Sequence, residues 1–170
     1  DDFPFPTPQA MEQALARLQA LPADTPVIID GLVFGALTTA GVARIAAPIV
    51  ALVHHPLALE SGLPAEQQQH LLQTERDNLC FAKQILVPSP HTRAILIERY
   101  DVSAERIHVA LPGIAQPLAA EPSSKKGPPL ILSVGILHPR KGHDVLIDAL
   151  ARVADLDWQA EIVGNPWEEG

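Results

Sequence analysis

Six short apolar runs recur along the chain, and each is separated from the next by a segment with helical character. Most of the runs are continuously apolar rather than alternating with polar residues, which is typical of strands covered on both faces. Such strands, separated by helices, predict an α/β chain with Rossmann-like parallel sheets and flanking helices. The runs are residues 27–30, 49–53, 85–88, 107–111, 130–134 and 160–163.

The segments between the runs carry signals for helix starts. Thr7 before Pro8, and Ser89 before Pro90, each place a capping side chain ahead of a proline in a first helical turn. Spaced leucines predict helices within residues 66–82 and 142–153. Residues 32–47 are rich in alanine and also predict a helix, although two glycines weaken it.

One stretch, residues 115–129, has four prolines and no hydrophobic period. This composition predicts a linker. It separates residues 1–114, which hold four predicted strands, from residues 130–170, which hold two. Two strands and one helix cannot close a core alone. The second part therefore either joins the first sheet or opens a domain that this chain does not finish.

Composition excludes several classes of protein. The net charge of −8 opposes nucleic-acid binding, and residues 1–121 carry no basic excess that would favour docking on an anionic membrane. The chain contains no run of 18 apolar residues, so the sequence predicts no membrane-spanning helix. The single cysteine, Cys80, excludes an internal disulfide and suits a reducing compartment, so we expect a cytoplasmic protein. Scattered histidines and the absence of the common nucleotide, zinc and hydrolase motifs predict no metal and no bound cofactor.

The most informative segment is residues 130–150. A predicted strand ends at Gly135, and Arg140, Lys141 and Gly142 stand at the start of a predicted helix. Ligands of open α/β sheets bind at the carboxyl ends of strands, and a helix N-terminus attracts phosphate. The segment predicts a phosphate site, and the alternative is a solvated cationic turn.

Two further strand ends carry polar side chains. His54 and His55 follow the run 49–53, where a histidine could bind a hydroxyl or phosphate, or could simply cap backbone groups. Ser89 follows the run 85–88 and is most simply a helix cap, with a substrate contact as the alternative.

Taken in order, the segments HHPLALESGL, LVPSPHTRAIL, HVALPGI and SVGILHPRKGHDVLIDAL resemble glycosyltransferase family 4 (group 1), the retaining nucleotide-sugar transferases of GT-B fold. The resemblance covers residues 27–164. It implies that residues 1–114 are the C-terminal part of an acceptor-side domain and that 130–170 begin a donor-binding domain. It also implies that Lys141 contacts the donor diphosphate, that Gly135 is the family's strand-end glycine, and that His54 lies near the transferred sugar and the acceptor.

The chain departs from the family pattern in two places. Ile136 stands where the family usually has an arginine, so Arg140 would have to replace that cation. The family's paired glutamates have no counterpart, so the chain resembles a middle portion of a longer protein, and we expect it to be inactive alone.

Other interpretations remain open. The chain could be a non-catalytic phosphate- or nucleotide-binding module, or a structural fragment that forms a homodimer through exposed half-domain surface. A nucleotide-sugar epimerase shares the two-domain arrangement. For the transferase, the expected partners are a nucleotide-sugar donor and an acceptor whose identity the sequence does not give.

Overall fold

The computed structural model describes residues 4–113, 115 and 127–166. The chain divides into two compact units, Asp1–Ile114 and Ala115–Gly170. This division falls where the predicted linker 115–129 begins, and most of that linker lies outside the described residues. The assignment of the two units to acceptor-side and donor-side domains stays a prediction.

The first unit is built on a four-stranded parallel sheet in the order β1-β2-β3-β4, which confirms the predicted Rossmann-like α/β class. Its strands are β1 (Val27–Asp30), β2 (Ile49–Leu52), β3 (Ala82–Val87) and β4 (Ile107–Val109). Its helices are α1 (Pro8–Gln19), α2 (Gly31–Ala36), α3 (Thr39–Val42), α4 (Ala65–Leu79) and α5 (Pro90–Tyr100), with 3-10 turns at Leu57–Leu59 and Ala104–Arg106.

Both predicted proline-led helix starts are confirmed. The Thr7 hydroxyl accepts a hydrogen bond from the Ala10 amide at 3.2 Å, and α1 begins at Pro8. The Ser89 hydroxyl accepts one from the Thr92 amide at 3.1 Å, and α5 begins at Pro90. Each hydroxyl satisfies an amide that has no partner within its helix.

The single helix predicted over residues 32–47 is wrong. The segment forms α2 and α3, and Leu37 between them is extended. The buried amide of Asn78, on α4, donates to the carbonyl oxygens of Phe34 at 2.7 Å and Leu37 at 2.9 Å. These bonds replace helical partners that a continuous helix would supply, so the break is stabilised by α4.

The buried strand residues of the first unit lie on one face of its sheet, where Ile29, Ala51, Ile85 and Ile107 are paired neighbours and each is at most 4% exposed. Ile85 in β3 is 0% exposed, whereas Ile28 in β1 is 63% exposed. The two faces of the sheet therefore differ in burial, since Ile29 in the same strand as Ile28 is 4% exposed, and the expectation from the continuous apolar run that both faces of β1 are covered is wrong. The largest side chains with almost no exposure include Phe34, Leu37, Leu57, Leu71, Ile85, Leu96 and Tyr100.

The second unit is a separate two-stranded parallel sheet, so the alternative that these strands join the first sheet is wrong. It consists of β5 (Leu130–Val134), a 3-10 turn (Pro139–Lys141), α6 (His143–Ala151) and β6 (Gln159–Val163). None of its described residues is buried. Leu132 is 57% exposed and Val134 is 72% exposed, so one face of β5 is bare.

No helix in the described part of the chain has both the length and the hydropathy needed to cross a bilayer.

Replacing Ile85 with Ala should lower the free energy of unfolding of the first unit by about 2–5 kcal/mol, because it leaves a cavity under β3. Ile28→Ala is the matched control, and it should change stability by about 0.5 kcal/mol or less because the side chain is solvated. Urea unfolding followed by amide signals of the first unit measures both. Equal losses in the two variants would contradict the burial described for these strands.

Candidate functional sites

Two candidate sites lie at the carboxyl ends of strands, one in each unit. In the second unit, the two strand ends are tied together beyond the sheet. The Gly135 amide donates to the Val163 carbonyl and the Leu137 amide to the Asn165 carbonyl, both at 2.9 Å. The turn that follows β5 therefore starts from a fixed position.

The predicted helix start at Arg140 and Lys141 needs correction. Both cations lie in a separate 3-10 turn, and α6 begins at His143. Pro139 opens the turn, and the His138 ring nitrogen Nδ1 accepts the Arg140 amide at 3.1 Å. Gly142 then takes a left-handed conformation, with φ +64°, which separates the turn from the helix. A side chain at Gly142 would be strained there.

The side chain of Lys141 lies over the end of β5. A methyl group placed on Gly135 would meet Lys141 Cδ and Cε at 3.4 Å. This is an ordinary van der Waals distance, so the lysine stem passes close to the strand end without requiring glycine there. Arg140 and Lys141 thus lie in the turn, Gly142 ends it, and Gly135 lies close to the Lys141 stem at the end of β5.

Both cations of this turn are exposed, and neither forms an ion pair within 4.0 Å with any described residue. Gly142 supplies no side-chain cap to α6, so the first amides of that helix have no side-chain partner there. Asp144 lies in the first turn of α6 and brings one negative charge to the same end. The arrangement offers two cations and free amides beside one carboxylate, which suits an anion of high charge.

His143 is a residue of this turn that the sequence analysis missed. Its Nε2 atom donates a hydrogen bond to the Ile136 carbonyl at 3.1 Å. The bond ties the start of α6 to the segment after β5. Ile136 thus contributes a backbone acceptor to this part of the second unit. A histidine directly after the left-handed glycine was the available signal.

In the first unit, His54 lies just beyond β2 and beside the end of β1. The strands pair in register with Asp30 opposite Leu52, so their carboxyl ends are neighbours. The His54 Nε2 atom is 4.0 Å from Asp30 Oδ2, and the two side chains are 57% and 46% exposed. The other Asp30 oxygen accepts the Leu32 amide at 2.9 Å and caps α2. The sequence analysis missed Asp30, although it directly ends an apolar run.

His55 and Ser89 stand at the same sheet edge by sequence position. His55 is exposed. Ser89 caps α5 and shares a second hydrogen bond with the Thr92 hydroxyl at 3.0 Å. Its capping role is therefore observed, and substrate roles for both residues stay predictions.

The buried carboxylate of Glu75 is the least expected feature of the first unit. Glu75 is 5% exposed and projects from α4. One oxygen accepts the Leu57 amide at 2.6 Å, and the other accepts the Ala58 amide at 3.1 Å and the Tyr100 hydroxyl at 3.0 Å. All three bonds involve groups on other elements. The carboxylate therefore joins α4 to α5 and to the segment after His54 and His55.

A sequence signal for Glu75 exists in the spacing of α4. Leu71, Glu75 and Leu79 follow one another at intervals of four residues, which places them on one helix face. An acidic residue between two buried leucines indicates a buried carboxylate that needs partners.

Burial raises the pKa of the Glu75 carboxyl, and the hydrogen bonds from the Leu57 and Ala58 amides and from Tyr100 partly offset that rise. The charge of His55 acts in the same direction as those bonds. Burial and the nearby Glu75 also raise the pKa of Tyr100. The phenol therefore stays protonated and donates a hydrogen bond to the carboxylate.

A third feature, an apolar cavity of about 380 Å³, lies between the first turns of α1 and helix α2. Its one polar lining side chain is Thr7, which is already engaged in capping α1. The cavity offers no charged group to a sugar or phosphate.

Among the described residues, no three His, Cys, Asp or Glu side chains converge where a metal ion could be held. Cys80 is a free, exposed thiol.

No family profile matches the chain, and no curated protein matches it significantly. The resemblance to glycosyltransferase family 4 therefore stays a prediction that depends on the motifs themselves.

Gly164→Ala should distort the second unit, because a methyl group there would collide with the Gly135 carbonyl oxygen. The expected loss of stability is about 1–3 kcal/mol, typical of overpacking. Gly127→Ala is the matched control, since no atom lies within 4 Å of its added carbon. Amide exchange of β5 and β6 measures the difference, and identical exchange in the two variants would contradict the described close approach.

The raised pKa of Glu75 predicts how stability depends on pH. The folded protein binds this proton more tightly than the unfolded chain does. The contribution that proton binding at Glu75 makes to the free energy of unfolding is therefore fully present below the pKa of about 4.3 that this group has in the unfolded chain. That contribution is lost as the pH rises through the pKa of the folded protein. Because Glu75→Gln removes the titration, the stability of the natural protein relative to the variant should fall as the pH rises from about 4 to 7. Urea unfolding at a series of pH values measures this difference, and a difference that stays constant or rises would refute the assignment.

Proposed function

We propose that this chain is part of a retaining, metal-independent glycosyltransferase that uses a nucleotide-sugar donor, and that the turn at Arg140–Lys141–Gly142 binds the donor diphosphate. One observation carries the proposal. Two exposed cations without an ion-pair partner among the described residues stand between the end of β5 and the N-terminus of α6. Carboxyl ends of parallel strands and helix N-termini are both typical phosphate positions.

The proposed chemistry requires stabilisation of a leaving group. A bond forms between the anomeric carbon and the acceptor oxygen, the bond from that carbon to the diphosphate breaks, and the proton of the acceptor hydroxyl passes to the departing diphosphate. The electron pair leaves with the diphosphate, where negative charge increases. Lys141, Arg140 and the first amides of α6 would stabilise that charge electrostatically. The Lys141 stem lies close to Gly135 at the end of β5, the strand end that the proposal assigns to the diphosphate.

The first unit would supply groups near the transferred sugar and the acceptor. His54 suits this role because it is exposed at a strand end and lies 4.0 Å from the Asp30 carboxylate. An imidazole beside a carboxylate can bind a hydroxyl and respond to its proton. His55 and Ser89 are proposed as further substrate contacts at the same edge of the sheet.

Binding of inorganic pyrophosphate and of nucleoside diphosphates, measured by calorimetry in the presence of a metal chelator, tests the proposal. Pyrophosphate probes the diphosphate contacts without any assumption about the base. Lys141→Ala should weaken binding about 10- to 100-fold, as expected for loss of a hydrogen bond to a charged group.

Arg152→Ala is the matched control, because it removes one exposed positive charge from the opposite end of α6. It should leave the affinity within about twofold. No binding by the natural chain, or equal weakening by the two variants, would overturn the proposal.

A further inference from the structure

The buried Glu75 carboxylate also binds the segment formed by residues 54–59, which we call the histidine segment. The proposed function does not itself require this contact. The segment after β2 runs through His54, His55 and Pro56 into the 3-10 turn Leu57–Leu59. This turn has no side-chain cap of its own, because Pro56 stands at its N-cap position. Its first two amides bond instead to the Glu75 carboxylate.

The Glu75 carboxylate is held from several sides. The Tyr100 hydroxyl approaches from α5, and the charge of His55 acts on it from the segment itself. On α2, a methyl group at Gly35 would come within 2.8 Å of Glu75 Cγ, so only glycine leaves room for this side chain. No titratable side chain of α2 is among these contacts.

We propose that Glu75 is a positioning residue that holds the histidine segment at the carboxyl edge of the first sheet. The Val53 amide still donates to the Leu86 carbonyl of β3 at 2.8 Å, and Glu75 binds the chain again four and five residues later. His54 and His55 lie between these two attachments. The place of His54 beside Asp30, and the course of the backbone at His55, therefore depend on α4 as well as on β2. That this place matters for a sugar and an acceptor rests on the proposed function.

A Gln side chain at position 75 tests the idea, because it keeps the length but presents one oxygen and one NH₂ group. In Glu75→Gln the side-chain NH₂ group would face a backbone N–H, so two donors would meet and a hydrogen bond would be lost. In Glu75→Gln, amide exchange of Leu57 and Ala58 should accelerate at least about tenfold. The ring signals of His54 and His55 should move, while exchange of the amides in β3 stays slow. Glu66→Gln, an exposed change on the same helix, should leave all of these signals as they are.

Two measurements keep the test decisive if Glu75→Gln does not fold. Tyr100→Phe removes one of the three bonds and should produce a smaller change at the same residues. In the natural protein, the Leu57 and Ala58 amide shifts should titrate together with the Glu75 side-chain carboxyl carbon. Titration of that carbon without movement of the two amides would overturn the proposal, as would unchanged histidine signals in folded Glu75→Gln.

Pyrophosphate binding in the same samples separates this proposal from the function on which it rests. Glu75→Gln should bind pyrophosphate within about twofold of the natural chain, since Lys141 lies in the other unit. If the natural chain binds no pyrophosphate, the proposed function fails, and the amide and histidine signals still decide the role of Glu75. A loss of pyrophosphate binding in folded Glu75→Gln would contradict a role confined to the histidine segment.

Discussion

A carboxylate with three hydrogen-bond donors links α4, α5 and the segment that follows β2 in the first unit. Burying a charged group without partners is costly, so Glu75 is tolerated inside the unit because each oxygen accepts at least one hydrogen bond. The same bonds give α4 control over a segment distant from it in sequence. Removing any one donor leaves a charge underbonded, so α4, α5 and the 3-10 turn constrain one another.

Other polar side chains extend this organisation. Asn78 lies on α4 near Glu75 and binds two carbonyl oxygens at the break between α2 and α3. Arg106 donates to the carbonyl oxygens of Leu79 and Ala82, where α4 gives way to β3. Arg76 pairs with Asp101 at 2.9 Å, where α5 ends in a left-handed residue. Thus α4 is joined by side chains to the connections on either side of it, while its leucines pack in the core.

The sequence predicts the elements whose causes are local. Continuous apolar runs identify all six described strands, and Ser89 before Pro90 identifies the start of α5. The break inside residues 32–47 could not be predicted, because it depends on Asn78 more than 40 residues away. Arg140 and Lys141 lie near a helix start as predicted, but in a 3-10 turn whose amides bond to the ring and carbonyl of His138. This cause is local, and what the sequence analysis missed is the left-handed conformation of Gly142 that separates the turn from α6. Glu75 was missed because its partners come from two distant segments, although the spacing of its helix carried a signal.

The position of Lys141 against Gly135 has a thermodynamic consequence. A free lysine side chain samples many rotamers, and ordering it costs conformational entropy. The stem of Lys141 already packs along the end of β5, so part of that freedom is lost in the folded chain itself. An anion that meets this ammonium group therefore orders less of the side chain than it would at an unsupported lysine, and more of the electrostatic attraction remains as affinity.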